Sequence, residues 1–504
     1  MLFDYLETNI QNELRILAVF QVQNRVSIRF LKEELDLSPP AIHALIEKMN
    51  VELQDAVTIE RSDSSYLWKN HDHFDLPRLV HRICKDSMIL HCLKFLILNH
   101  DHVPFSKFTD DEFLTKSSSY RIRHTCELYL RDIGLYLKNN QVSGPEYRVR
   151  FLIGLLYSRY GISCYEMDDT SQAVIQAFVL ASNQAVDHTY LDHCSSDYDY
   201  FACLLAMTWK RIDISIQPIQ SAQFDKLKEL HIYQYLQQLT HEILEKQLHI
   251  TIDPCSLDYI YLVYCCTNNC LFADKWTQAE QEKLHQIIFT EGSFADLKQR
   301  FIQRFGKAIS SHAFEEMMMT FYKKCLLELQ CIIPDENCYV YSKHNNINQT
   351  LYHSILDIMT DWTVCAKKKY MIRTEHIFYI TIQTAFILEQ SMPPITVYVC
   401  ADRPSELEVM SLCLKRKFSQ DRIHIVSLLI NTSDKDVLLK KRDSIIICEH
   451  KFKNILNEWH IGQVNDVILV STELNNVQLH EIYKAVKVHE NARFMKFLQT
   501  TPKK

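Results

Sequence analysis

The sequence predicts a mainly α, multidomain chain that ends in a small α/β domain. Three observations carry that prediction. Apolar residues recur at helical spacing through nearly all of the first 391 residues. Two short stretches, 57–70 and 134–151, read as strand–turn–strand units, and each closes a cluster of helices. After Pro393 and Pro394 the period changes to continuous β-branched runs separated by helical segments. At roughly 100–200 residues per domain, 504 residues make several such units.

In chain order, LFDYLETNIQNELRILAVFQV (2–22) reads as a helix and VSIRFLKEELDL (26–37) as a second. SPPAIHALIEKMNVEL (38–53) is a third, with Ser38 as its cap and an early proline that suits a helix start. Its apolar stripe is Ala41, Ile42, Leu45, Ile46, Met49 and Leu53. VTIERSDSSYLWKN then makes a two-stranded wing around an SDSS turn, so 1–72 is expected to be a winged helix-turn-helix. Its third helix exposes His43, Glu47 and Lys48, and its second carries KEELD. That charge pattern suits DNA poorly and favours a packing module.

The pattern recurs over 73–161. Residues 75–99 read as one long helix, 105–114 as a shorter one and 117–130 as a third, with GLYLKNNQVSGPEYRVRF (134–151) as the wing. Ser119, Ile122, Cys126, Tyr129, Leu130 and Ile133 fall on one stripe of the third helix. Ser117, Tyr120, Arg121, His124 and Arg131 fall on the other side, with Arg123 on a flank. Thr115 or Ser117 can cap the helix, and small hydroxyls there let its N-terminus approach a phosphate. From Thr115 to Gly161, eight basic residues face three acidic ones, a net +5 inside a chain of net −7. A basic wing beside a basic helix start is what phosphate neutralisation requires. The expected contacts with double-stranded DNA are therefore Lys116, Ser117, Ser118, Tyr120, Arg121, Arg123 and His124 on the helix. Lys138, Asn139, Asn140 and Arg148, with Arg150, would serve the wing.

Helical periodicity then fills two bundles, 162–274 and 275–391. In 392–504, ITVYVC (395–400), RIHIVSLLI (422–430), DSIIICE (443–449) and DVILVST (466–472) are apolar strands that alternate with helices. They predict a parallel sheet covered on both faces, with a last helix closing the chain.

Composition excludes several classes. Only 7 glycines, with no GxGxxG and no GxxxxGK[ST], argue against nucleotide-binding phosphate loops and most enzymes that use them. The 17 cysteines include no CxxC, and the cluster Cys265, Cys266, Cys270 lacks a second ligand pair, so neither metal nor cofactor is expected. Scattered thiols fit a reducing cytosol. The acidic, amphipathic start is unlike a signal peptide, and no 18-residue apolar run predicts a membrane span.

Two winged helix-turn-helix modules, two bundles and an α/β unit in this order resemble the Mga/AtxA family of Gram-positive transcription regulators. Locally, SSSYRIRHTCELYLRDIGLYLKNNQVSGPEYRVRFLIGLLYSRYGI is similar to the family's second, DNA-binding helix-turn-helix. DYFACLLAMTWKRI resembles a helix of a phosphotransferase-regulated domain (PRD), and ITVYVCADRPSELEVMSLCLKRKF the first strand and helix of a phosphotransferase IIB-like domain. The resemblance implies two PRD-like bundles and a IIB-like C-terminal domain. It also implies a cytoplasmic, non-enzymatic, virulence-type regulator, an activator that forms a homodimer through its PRD and C-terminal domains. Phosphotransferase-system proteins would act on PRD histidines.

The chain departs from that pattern where sugar-operon PRD regulators carry histidine: it presents Leu204 and Tyr264. The remaining candidates are His376, His188, His193 and His312, each with the ordinary reading of a capping or partly buried histidine. Cys400 matches the IIB phosphocysteine position, but its loop, ADRPSE, sets Asp402 and Glu406 against a phosphate and supplies no glycine. Three rivals stay open. One is an RNA-binding PRD antiterminator, the second a phosphotransferase component enzyme, and the third a regulator that has lost phosphate control.

Overall fold

The computed structural model describes residues 2–53, 56–71, 75–100, 103–183, 185–186, 196–267, 269–289, 293–309, 311–334, 348–366, 370–432, 438, 440–471 and 474–500. They form two compact units. Unit 1 comprises 1–298, 316–347 and 356–378; unit 2 comprises 299–315, 348–355 and 379–504. The helical region 275–391, read from sequence as one bundle, is thus distributed over both.

Unit 1 opens with α1 (Thr8–Val22), β1 (Arg25–Ser27), α2 (Ile28–Leu35), α3 (Pro39–Leu53), β2 (Val57–Ser62) and β3 (Ser65–Asn70). The wing pairs antiparallel in the order β1-β3-β2, with Val57 opposite Asn70 and Ser62 opposite Ser65. Ser27 caps α2 by accepting from the Phe30 N–H. Ile42, Ile46, Met49 and Leu53 of the expected α3 stripe are buried. The Asn50 side chain fixes the wing against α3, donating to the Ile59 carbonyl (2.9 Å) and accepting from the Ile59 N–H (2.7 Å).

The second module contains α4 (Leu76–Cys84), α5 (Met88–Leu98), α6 (Phe105–Asp111), α7 (Lys116–Asp132), β4 (Tyr136–Lys138) and β5 (Gln141–Ser143). Residues 75–99 are two helices rather than one long helix. Ser87 breaks the run by capping α5 at Leu90, and Glu7 of the first module accepts from Ser87 Oγ and the Ile89 N–H. The wing is also shorter than expected. Pro145 ends it, and EYRVRF begins α8 (Glu146–Tyr160), so Arg148 and Arg150 are helical residues. Gly161, at φ +70°, closes α8 where an added Cβ would lie 2.6 Å from the His81 ring.

Helices Asp169–Ser182, Ser196–Lys210, His231–Leu239 and Pro254–Cys266 continue the unit. An ion triad is buried among them: Glu146 accepts from Arg150 (3.0 Å) and from Arg211 (2.7 and 3.0 Å).

In unit 2 the sheet is parallel throughout, in the order β7-β6-β8-β9, built from β6 (Ile395–Ala401), β7 (Ile423–Leu429), β8 (Ile445–Glu449) and β9 (Asp466–Val470). Alternate residues feed two cores. Val397, Val399, Ile445 and Ile447 pack with Met410, Leu414 and Ile482, whereas Tyr398, Cys400, Ile446 and Cys448 pack with Phe452 and Leu456. That two-sided burial is why the strands read as unbroken apolar runs. No helix of the described residues is long and apolar enough to cross a membrane.

Candidate nucleic-acid interface

Helix α7 is amphipathic, as its sequence dictates. Ser119, Cys126, Tyr129, Leu130 and Ile133 are buried. Lys116, Ser117, Tyr120, Arg121, His124 and Arg131 are exposed. Thr115 caps it, accepting from the Ser118 N–H at 3.2 Å, and its hydroxyl also donates to Ser118 Oγ at 3.0 Å. The helix start therefore presents hydroxyls, Lys116 and the positive end of the helix dipole on one open surface.

The wing stands beside it. β4 and β5 are joined by Asn139 and Asn140, both left-handed (φ +51° and +59°), the geometry of a type I′ hairpin turn. Lys138 and Asn139 are exposed at this tip, and Asn140 is half-buried. Asn99, buried just beyond α5, donates to the carbonyls of Val103 and Asn140 (3.0 Å each) and so anchors the tip. Sequence reasoning missed Asn99. Its only signal is a polar residue directly after an apolar helix.

Among the described residues, Lys116, Arg121 and Lys138 have no carboxylate partner, so their charge faces solvent. Arg123 differs: its Nε lies 3.1 Å from Glu127 Oε1 and its guanidinium sits over the Phe105 ring. It is a partly neutralised flank residue.

Two further cations leave the expected surface altogether. Arg148 is turned inward, donating to the carbonyls of Ile133 (2.9 Å), Leu327 (2.7 Å) and Glu328 (3.3 Å), and cannot serve the wing. Arg150 is 1% exposed in the triad with Glu146, its guanidinium over the Tyr259 ring. Both were expected in a strand; their helix points them at the bundle instead. The ridge also gains aromatics that periodicity did not mark, Phe113 at 96% exposure and Tyr136 at 57%, beside the expected Tyr120 at 64%.

The far end of α7 is held from several sides. Asp132 accepts from Arg373 (2.7 Å) and from the Tyr5 hydroxyl. Partial burial raises its pKa, but those two bonds and the Arg373 charge outweigh it and hold the carboxyl below its ordinary value.

The phosphorylation candidates fare unequally. His376 is 2% exposed; its Nδ1 accepts the Arg373 N–H (3.2 Å), and its Nε2 lies 3.0 Å from the Gln330 carbonyl. That pairing assigns the proton to Nε2 and occupies both nitrogens. As placed, this ring has no nitrogen open to a phosphoryl donor. His312 is exposed at the start of its helix, and His188 and His193 lie outside the described residues. Leu204 is fully buried, and Tyr264 accepts from Trp276 Nε1 at 3.1 Å.

Cys400 is fully buried opposite Cys448 in the β6–β8 register, and its hydrogen bond, with burial, drives the Cys448 thiol far up. Where a phosphate loop would stand, Lys451 draws together Asp402 (2.8 Å), Glu406 (3.4 Å) and Glu449 (2.5 Å).

Residues 72–157, which hold α7 and its wing, match the family model for the Mga helix-turn-helix domain. Residues 172–387 match the M protein trans-acting positive regulator (MGA) PRD domain, and the two matches together cover more than half of the chain. The chain belongs to the Mga family. As an Mga-family member it is a DNA-binding, PRD-containing transcriptional regulator, and the helix-turn-helix match falls on the module that holds Lys116, Arg121 and Lys138. No curated protein matches the chain.

Proposed function

We propose that this Mga-family regulator binds promoter DNA by seating the start of α7 in a major groove, with the β4–β5 tip against the flanking backbone. The observation that carries the reading is the set Lys116, Arg121 and Lys138, exposed on one helix start and hairpin and without a carboxylate partner among the described residues. Binding through such a ridge is dominated by phosphates and therefore falls steeply with salt. The output is activation, in keeping with the positive regulator named in the matched PRD model.

Self-association would place two α7 helices on neighbouring turns of the duplex. Exposed apolar side chains on two helices of unit 2, Val409 and Leu412 on Pro404–Lys417 and Val477 and Val488 on Asn476–Thr500, support a homodimer through the C-terminal domain. Phosphotransferase proteins in the cytoplasm would act on the PRD region, a reading that the PRD match supports. Among the described candidates His312, not His376, is the residue exposed to a donor.

The test is promoter binding by the full chain across a salt series, with oligomeric state followed in parallel. Lys116→Ala with Arg121→Ala should abolish retention at moderate salt and leave the oligomer intact. Unchanged affinity in that variant would remove α7 from the interface.

A further inference from the structure

Phe113 stands in the turn between α6 and α7 and, at 96%, is the most exposed large apolar side chain among the described residues. The turn is a tightly bonded helix ending. The Leu114 N–H donates to the Thr109 carbonyl (2.9 Å) and the Phe113 N–H to that of Asp110 (3.2 Å). This pairing sets Phe113 in the left-handed region, at φ +50°. Glycine or asparagine suits that place, because a bulky Cβ substituent crowds the backbone there. The aromatic is therefore strained in its backbone and lies outside the core. Neither the turn nor the packing calls for it, and strain of this kind clusters at functional positions.

Its position joins it to the surface that holds Lys116 and Arg121. Three residues on, Lys116 is at most about 11 Å away along the chain, and a major groove is about 12 Å wide. Tyr120 and Arg121 follow one turn further along α7, both exposed. A duplex seated on the start of α7 thus lies within reach of the Phe113 ring.

The neighbouring charges decide which part of the duplex the ring suits. Asp110 and Asp111 are exposed at the end of α6, Lys107 one turn back offsets part of their charge, and Glu112 is held by His91 at 3.1 Å. Carboxylates repel phosphates, so this turn is ill suited to the backbone. A base edge is neutral, and of the four bases only thymine carries an apolar group in the major groove, its 5-methyl.

We infer that Phe113 is a specificity-determining residue that packs its ring on the methyl group of a thymine when α7 enters the groove. The inference rests on the DNA-binding reading above and adds to it a base that the protein recognises. Lys116 and Arg121 supply the attraction to phosphates, which is blind to sequence; Phe113 supplies a contact that one base can make.

Full-length protein is used to select duplexes from a random pool, and a recovered duplex is then synthesised with deoxyuridine, which lacks only the methyl, at one thymine at a time. By fluorescence anisotropy, wild-type affinity should fall about fourfold at one position, the worth of one buried methyl. Phe113→Gly should bind the unmodified duplex at least that much more weakly and should be indifferent to deoxyuridine at that position. Its melting temperature should equal or exceed that of the wild type, because glycine fits the left-handed turn.

Wild-type affinity for the unmodified duplex in Phe113→Gly, a full response to deoxyuridine in that variant, or a lower melting temperature would overturn the inference. A chain that selects no duplex, or whose binding ignores Lys116→Ala with Arg121→Ala, overturns the reading of α7 and this inference with it. Binding that depends on Lys116 and Arg121 but not on Phe113 overturns the inference alone.

Discussion

In the first winged module, Lys48 of α3 lies 2.7 Å from Glu13, a carboxylate with no exposed side-chain surface, and 3.2 Å from Glu52. In the second, Lys116 and Arg121 of α7 meet no carboxylate among the described residues. Both modules set a helix directly before a hairpin, α3 in one and α7 in the other, and both pin that hairpin through an asparagine amide, Asn50 and Asn99 respectively. That helix and its wing hold three basic and five acidic residues in the first module (39–70), but five basic and two acidic in the second (116–143). Within the same architecture, Lys48 is held by a buried carboxylate in one module, whereas Lys116 and Arg121 stay exposed without one in the other.

That comparison can be broken most directly at α7. Lys116→Ala with Arg121→Ala should lower promoter affinity by roughly 30-fold or more. It should also flatten the plot of log affinity against log salt by about 2, as two phosphate contacts are lost. Gel shifts at several salt concentrations check both. The equivalent change in the first module, Lys48→Met, should leave DNA affinity untouched.

Lys48→Met instead should cost stability, about 2 kcal/mol by chemical denaturation at pH 7. Removing one partner strands buried Glu13, although the half-exposed lysine holds the loss below that of a fully buried pair. Burial already raises the Glu13 carboxyl, against the pull of Lys48. A carboxyl whose pKa is raised on folding loses stabilisation as pH rises from its unfolded to its folded value. The deficit of Lys48→Met should therefore shrink as pH is lowered toward 5. A deficit independent of pH would mean that Glu13 is not the stranded group.

Smaller effects sharpen the contrast within α7 itself. Arg123→Ala should weaken DNA binding only a few-fold, because Glu127 already balances part of its charge. Glu127→Gln, which releases Arg123, should strengthen binding about twofold, as fluorescence anisotropy can resolve. A loss for Arg123→Ala as large as that for the Lys116, Arg121 pair would place Arg123 inside the groove.

Most of the scaffold was legible in the sequence, and its failures were specific. The parallel sheet was visible because both faces of β6 and β8 are buried, so their residues are apolar without alternation. The stripe of α7 was visible because burial of one helix face repeats with the helix itself. Residues 75–99 looked continuous because Ser87 is a single polar residue whose capping role depends on Glu7, 80 positions away. EYRVRF looked like a strand because its alternation of charge and apolar residues outweighed Pro145 and Glu146, which mark a helix start.

Local periodicity in the chain set most helices and strands and the apolar face of each; it failed only where a cap or a proline redirects the backbone, at Ser87 and Pro145. Tertiary structure alone decided the fate of the charges. Arg148 is taken up by carbonyls some 180 residues downstream, Arg150 by a triad with Arg211, and His376 by Gln330. An ion pair or a buried hydrogen bond leaves no period in the chain, because its partner is chosen by packing. The open ridge of α7 is what remains once those long-range pairings are made.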